Sequence, residues 1–298
     1  MTSKISVVIA SKVGAPFVDQ CLDSVRAEVQ ARGDEVIVVV TGAEADATRL
    51  ATAFPWARIV HCPAIPEIPA LRRRGVDEAR GEFIAIIEEH CSARGDWLTQ
   101  ALAAHDRGDF AAVGGAIHDF NYDRVADWVV YFLEYNGALP PTPAGETRDL
   151  NDANIVYRRA WLVAHANLLD EGYWPMTLHP TLLAEGKKFA SVPEMVVYHR
   201  GPFRFGYYLR QRFLFSRAFA GVRAQNQGAL GRWAYILAAP IVPFMLLARI
   251  ARTVVAKRCR IGKFIFALPM LVPAIVVLVA GEWVGCVFGP GDALSRVE

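Results

Sequence analysis

The run Phe83–Ile87, closed abruptly by Glu88, Glu89 and His90, constrains this chain more than any other stretch. A short, unbroken apolar run of this kind predicts a strand buried on both faces, as in the centre of a helix-covered parallel sheet. In open α/β sheets, ligands bind just beyond the carboxyl ends of such strands. The triplet there offers two carboxylates and an imidazole, donors suited to a hard or borderline divalent cation. The alternative is a charged strand-to-loop corner in solvent.

The neighbouring sequence repeats the pattern. Residues 5–10 and Glu35–Val40 are short β-branched runs. Between them Phe17, Cys21, Leu22, Val25 and Val29 recur at helical spacing, and Gly33 marks the stop. A helical stretch at 44–54, a strand around 58–61, a Pro-rich link at 63–69 and a helix at 70–80 continue the alternation. The fold class this predicts is α/β: a Rossmann-like, mostly parallel sheet with helices on both faces and right-handed crossovers. From Gly108 onward the pattern loosens, with a strand at 110–117, a helix at 126–135, a Pro-rich loop at 138–147 and extended pieces at 154–157 and 189–198.

Composition decides what surrounds that core. A formal net charge of +2 in 298 residues gives no bulk field for nucleic acid, so none is expected as a partner. The five cysteines are scattered without a CxxC pair, which supports neither a disulfide framework nor a zinc knuckle. The first residues enter a strand directly and lack a signal peptide's apolar core, so the globular part is expected in the cytoplasm. A hydrophobic content of 53% is high for a soluble protein, and the excess is concentrated after Trp233, which points to membrane contact.

Three regions follow: a globular domain at 1–202, a basic aromatic helix at 203–231 and hydrophobic membrane-associated helices at 232–298. In the second, Phe203, Phe205, Tyr207, Tyr208, Phe213, Phe215 and Phe219 interleave with Arg204, Arg210, Arg212, Arg217 and Arg223. Such a helix either lies in the lipid headgroup layer or covers the sheet with solvated arginines. In the third, residues 233–248 are uncharged but carry Pro240 and Pro243 and fall short of the ~20 residues of a simple span. Residues 264–281 are uncharged and nearly long enough. Between them stand Arg249, Arg252, Lys257, Arg258, Arg260 and Lys263. A two-span hairpin would export those charges, so the first segment is expected to be re-entrant or interfacial. The second either spans or lies shallow. Membrane lipids at the cell inner membrane are the expected surroundings, and the oligomeric state stays open.

Taken in order, these segments resemble a glycosyltransferase of family two with the GT-A fold. The carriers are residues 5–11 (ISVVIAS), Leu71-Arg72-Arg73, Ala79-Arg80-Gly81-Glu82, Glu88-Glu89-His90 and Trp97-Leu98. Val113-Gly114-Gly115, Asn154-Ile155-Val156-Tyr157-Arg158-Arg159 and residues 192–199 (VPEMVVYH) follow, so the resemblance spans roughly the first 225 residues. It implies an inverting transfer from a nucleotide-sugar donor to a lipid-linked or polysaccharide acceptor. Carried over residue by residue, Ala10, Ser11, Thr41, Arg72, Glu88, Glu89 and Asn154 fall at donor-binding positions, and Glu88, His90 and His199 at the metal.

Departures from the family pattern qualify this. Val40 and Thr41 stand where an Asp usually holds the nucleotide base. His90 replaces the last carboxylate of Asp-x-Asp, which either favours Mn²⁺ over Mg²⁺ as the divalent cation or weakens the dependence on metal. Where a carboxylate base usually precedes the strand-end histidine, residues 174–179 (WPMTLH) hold none. Glu171, Asp170 or His179 could serve instead, or an acceptor phosphate would need no strong base. The rival expectation is a catalytically degenerate membrane scaffold that binds a nucleotide sugar or a partner protein.

Overall fold

The computed structural model describes residues 4–170, 172–201, 204–226 and 229–297, and divides the chain into two compact units. The first unit comprises the residues up to Phe120 together with Pro140–Arg200. Its strands and helices alternate: β1 (Ile5–Ser11), α1 (Phe17–Arg32), β2 (Glu35–Val40), α2 (Glu44–Ala53), β3 (Arg58–His61), α3 (Ile68–Glu78) and β4 (Phe83–Ile87). There follow β5 (Cys91–Ala93), α4 (Trp97–Arg107) and β6 (Phe110–Asp119). After the segment that belongs to the other unit come β7 (Gly145–Thr147), β8 (Asn154–Arg158), α6 (Arg159–Ala164), α7 (Pro175–Ala184) and β9 (Lys188–His199).

These strands form one sheet in the order β3-β2-β1-β4-β8-β6-β9-β5, with β7 also paired to β9. From β3 to β4 it is parallel, and every residue of β4 is buried as the apolar run demands. Beyond β4 it is mixed, because β8 runs antiparallel to both β4 and β6. The expected parallel pairing is therefore unbroken from β3 to β4 and recurs beyond it only between β6 and β9. Helix α1 ends at Gly33, whose left-handed φ of 70° lets its N–H reach back to the last turn. Gly75 lets α3 lie against Val8 of β1, where any side chain would collide with that valine. That contact fixes the register of the helix that carries Arg72.

The second unit comprises Asn121–Leu139 and the residues from Gly201 onward. It is helical: α5 (Val125–Glu134), α8 (Phe205–Asn226), α9 (Ala229–Ala238), α10 (Val242–Ala256) and α11 (Ile261–Phe288). The uncharged stretch 233–248 is broken at Pro240, and α10 restarts with Pro243 in its first turn, where a missing N–H does no harm. Among the described residues α11 is the one helix long and apolar enough to cross a membrane, by length and composition. It extends past the expected 264–281 to take in Glu282 and Trp283. Arg212 of α8 pairs with Glu134 of α5 at 2.7 Å, and Tyr208 donates to the same carboxylate.

Candidate active site

The exit of β4 is a tight turn rather than a continued strand. The Cys91 N–H donates to Glu88 O at 2.9 Å, so residues 88–91 reverse the chain into β5. A turn splays its side chains, and Glu88, Glu89 and His90 reach three different neighbours.

Glu88 turns toward α3. Arg72, buried on that helix, donates from Nη2 to Glu88 Oε1 at 3.2 Å and from Nη1 to Asp152, which precedes β8. Burial alone would lower the pKa of this guanidinium, but Asp152 and Glu88 outweigh it and hold the pKa above its usual value. A fixed cation thus stands at the strand ends with two half-exposed carboxylates.

Glu89 turns the other way and is buried. Its Oε1 accepts the N–H groups of Lys12 and Val13 at 3.0 Å each. Its Oε2 accepts the Ser11 hydroxyl at 2.7 Å and the Gly14 N–H at 3.0 Å. Successive backbone amides gathered on one carboxylate form an anion nest, and here the chain fills its own nest. Both oxygens are committed to holding the β1–α1 loop.

His90 lies beside Phe17 of α1, ring centres 5.0 Å apart, and beside His199 at 6.4 Å. His199, at the end of β9, is held there by pairing with Cys91 and by the Arg200 N–H on His90 O at 2.8 Å. Burial first, and the nearby His90 second, push the His199 pKa well below the ordinary histidine value. Its ring is neutral at physiological pH, the form a metal requires. With metal–nitrogen bonds of ~2.1 Å, two imidazoles on one ion have centres roughly 5–6 Å apart. The observed pair stands close to that spacing and leaves further coordination positions to ligand oxygens. Glu88 does not complete a three-residue cage, since it is turned to Arg72, and no such cluster occurs among the described residues.

Other expected residues divide clearly. Ala10, Ser11 and Thr41 gather at the adjacent ends of β1 and β2, where the Thr41 N–H donates to Ser11 O at 3.2 Å. Asn154 is fully buried and its side chain is spent within the protein. Its Oδ1 accepts from Trp97 Nε1 at 2.8 Å, and its Nδ2 donates to Ala116 O and Met195 O at 3.0 and 2.8 Å. Those carbonyls flank the shift in register between β6 and β9, so Asn154 satisfies groups that the irregular ladder strands. Expected to touch the donor, it instead stitches the sheet.

His179 is buried on α7, with Nε2 at 2.5 Å from the Tyr157 hydroxyl, which also meets that of Tyr173 at 2.8 Å. Burial drives its pKa down to about 4, and its place in this tyrosine cluster denies an acceptor access. Glu171 lies outside the described residues, and Asp170 is exposed at a helix end. Asp152 escaped the sequence reading. Its signal was its place two residues before the Asn154 strand, at a sheet rim where an arginine was already expected.

A model of the family described as glycosyl transferase family 2 matches residues 6–164, just over half of the chain. The succinoglycan biosynthesis protein ExoM of Rhizobium meliloti (strain 1021) is 30% identical over 100 residues, 34% of this chain and 32% of that protein. The match thus spans about a third of that relative's length. Among solved structures, the mannosyltransferase PcManGT from Pyrobaculum calidifontis, in complex with GDP-Man and Mn²⁺, superposes with a TM-score of 0.58. It is 16% identical, with 98% of this chain and 88% of that chain covered. S. aureus TarS 1–349 gives a TM-score of 0.51 at 13% identity, covering 93% and 90%. These likenesses show a GT-A-like fold. With a family match over most of the sheet unit, this protein belongs to glycosyl transferase family 2.

Proposed function

We propose that the chain moves a sugar, with inversion, from a nucleotide-sugar donor to a lipid-linked or polysaccharide acceptor at the cytoplasmic face of the cell membrane. The observation that carries this is the pair His90 and His199 beside the Arg72–Glu88–Asp152 network, at the carboxyl ends of β4 and its neighbours. Within Glu-Glu-His, His90 would take the metal-holding part of Asp-x-Asp, while Glu88 and Glu89 position Arg72 and the β1–α1 loop. His90 and His199 would hold a divalent cation, and imidazole donors favour Mn²⁺ over Mg²⁺. When bound, the cation would neutralise charge that develops on the departing diphosphate. Arg72 would offer guanidinium donors at the same rim, held in place by Glu88 and Asp152, which also offset its charge. Ser11 and the loop clamped by Glu89, together with Thr41, would form the floor under the nucleotide.

The surroundings of His179 support an acceptor whose nucleophile is already ionised, such as a lipid phosphate, which needs no strong base. The partial likeness to a succinoglycan biosynthesis protein supports the alternative of a growing polysaccharide. Purified protein incubated with a panel of labelled nucleotide sugars, membrane lipids and Mn²⁺ or Mg²⁺ decides. Turnover that needs the cation and is lost in His90→Ala and His199→Ala supports the assignment. No transfer or donor hydrolysis across the panel refutes it.

A further inference from the structure

We infer that α11, despite its length and composition, does not cross the bilayer: the helical unit lies in one leaflet, on an anionic lipid surface. This rests on the proposed membrane reading and fixes its geometry. Close helix contacts set the depth scale. Gly281 of α11 meets the Phe213 carbonyl of α8, Gly285 meets that of Arg217, and Gly221 meets Pro290. The offsets, 281 − 213 = 68, 285 − 217 = 68 and 290 − 221 = 69, show two helices running in the same direction side by side.

A span needs about 20 residues, and any such stretch within Ile261–Phe288 must include 269–280. Adding the offset puts the start of α8, Phe205, about level with residue 273, and Arg210 and Arg212 about level with 278 and 280. A span beginning at Ile261 therefore buries Arg204, exposed and non-helical just before α8, deep in hydrocarbon. Irregular, lipid-exposed backbone is not tolerated there. A span ending at Phe288 instead puts Arg210, Arg212 and the latter's partner Glu134 near its centre. No register avoids both.

The exposed side chains describe a helix lying flat. On α10, Ile241, Phe244, Met245, Ala248, Arg252 and Val255 are exposed at helical spacing, with Phe244 74% accessible. On α11, Ile265, Pro269, Val272, Val276, Ala280 and Trp283 form an uncharged outward stripe. The arginine-bearing α8 packs elsewhere on α11, as a helix in the interfacial plane requires. Exposed Arg249, Arg252, Arg258, Arg260 and Lys263 punctuate the apolar positions, which complements an anionic headgroup layer.

Two measurements test this. The full chain should float with phosphatidylcholine vesicles containing a quarter phosphatidylglycerol far more than with phosphatidylcholine alone. The double variant Arg249→Gln/Arg252→Gln should lower that partitioning by about 30-fold. Gly262→Cys, where the backbone has open space, and Ser295→Cys bracket α11. After subtraction of labelling in the parent chain, a membrane-impermeant maleimide should reach both in the same orientation of sealed membrane vesicles. Labelling from opposite faces overturns the inference. So does failure to float, including a chain that instead associates with itself. Donor turnover in the same preparation reports separately on sugar transfer.

Discussion

Removing the Glu89 carboxylate should loosen the β1–α1 loop without unfolding the sheet. Its two oxygens accept four hydrogen bonds of 2.7 to 3.0 Å from Ser11, Lys12, Val13 and Gly14, and the side chain is only 4% exposed. Hydrogen bonds to a charged group contribute about 1.5–3 kcal/mol each, but the loop's own amides can rehydrate once it opens. Discounting for that, Glu89→Ala should cost about 3–5 kcal/mol. Ser11→Ala, which removes one donor, should cost about 1–2 kcal/mol.

Glu89→Gln is the sharper probe. It keeps the volume but turns one oxygen into an amide nitrogen that faces donors, so it should lose about half of the Glu89→Ala effect. Urea unfolding followed by tryptophan fluorescence reads the stability. Donor KM against kcat reads the function, and a loop that floors the nucleotide should raise KM more than it lowers kcat. If Glu89→Gln unfolds within about 0.5 kcal/mol of the parent, the four bonds are not holding the loop and the argument is wrong.

His105 and His179 are buried with pKa values lowered to about 4, burial being the main cause in each. A folded-state pKa below the unfolded value of about 6.5 means their stability contribution is present above pH 6.5 and is lost as pH falls toward 4. By pH 5 each should have cost about 2 kcal/mol, so a urea midpoint unchanged between pH 7 and 5 would contradict their burial as neutral rings. Arg72→Ala strands Glu88 and Asp152 side by side and should cost about 3–5 kcal/mol and most donor affinity. Arg72→Lys, lacking the fork that bridges both, should recover only part of either in the same unfolding and donor-titration assays. Asn154→Ala leaves the Trp97 N–H and two carbonyls unsatisfied in a fully buried site, about 3–5 kcal/mol, with a shifted Trp97 emission as its marker.

The alternation that builds β1 to β4 was legible because each strand is a local run whose burial follows from its own residues. Where the sheet turns mixed, legibility fails for a physical reason: the direction of β8 is set by its partners on either side, and nothing within Asn154–Arg158 encodes it. The same holds for Asn154. A motif position marks it as donor-binding, but whether its amide meets a ligand or two stranded carbonyls depends on a register shift between β6 and β9.

The triplet after β4 shows the limit most sharply. Read in one dimension, Glu88, Glu89 and His90 are three ligands in a row, and one cation gathering all three is the economical expectation. Three consecutive side chains converge on one point only if the backbone curls around it, and the bond from Cys91 to Glu88 makes it reverse instead. The turn therefore distributes the three roles. Glu88 bridges to α3 through Arg72, Glu89 fastens the β1–α1 loop, and His90 is left to meet His199 from β9. Each connects the same strand end to a different element. A donor bound across this rim would accordingly meet groups whose positions all depend on one four-residue turn. A substitution that altered the turn, such as replacing Cys91 with proline to remove its N–H, should disturb the loop, the arginine and the imidazole pair together rather than any one of them.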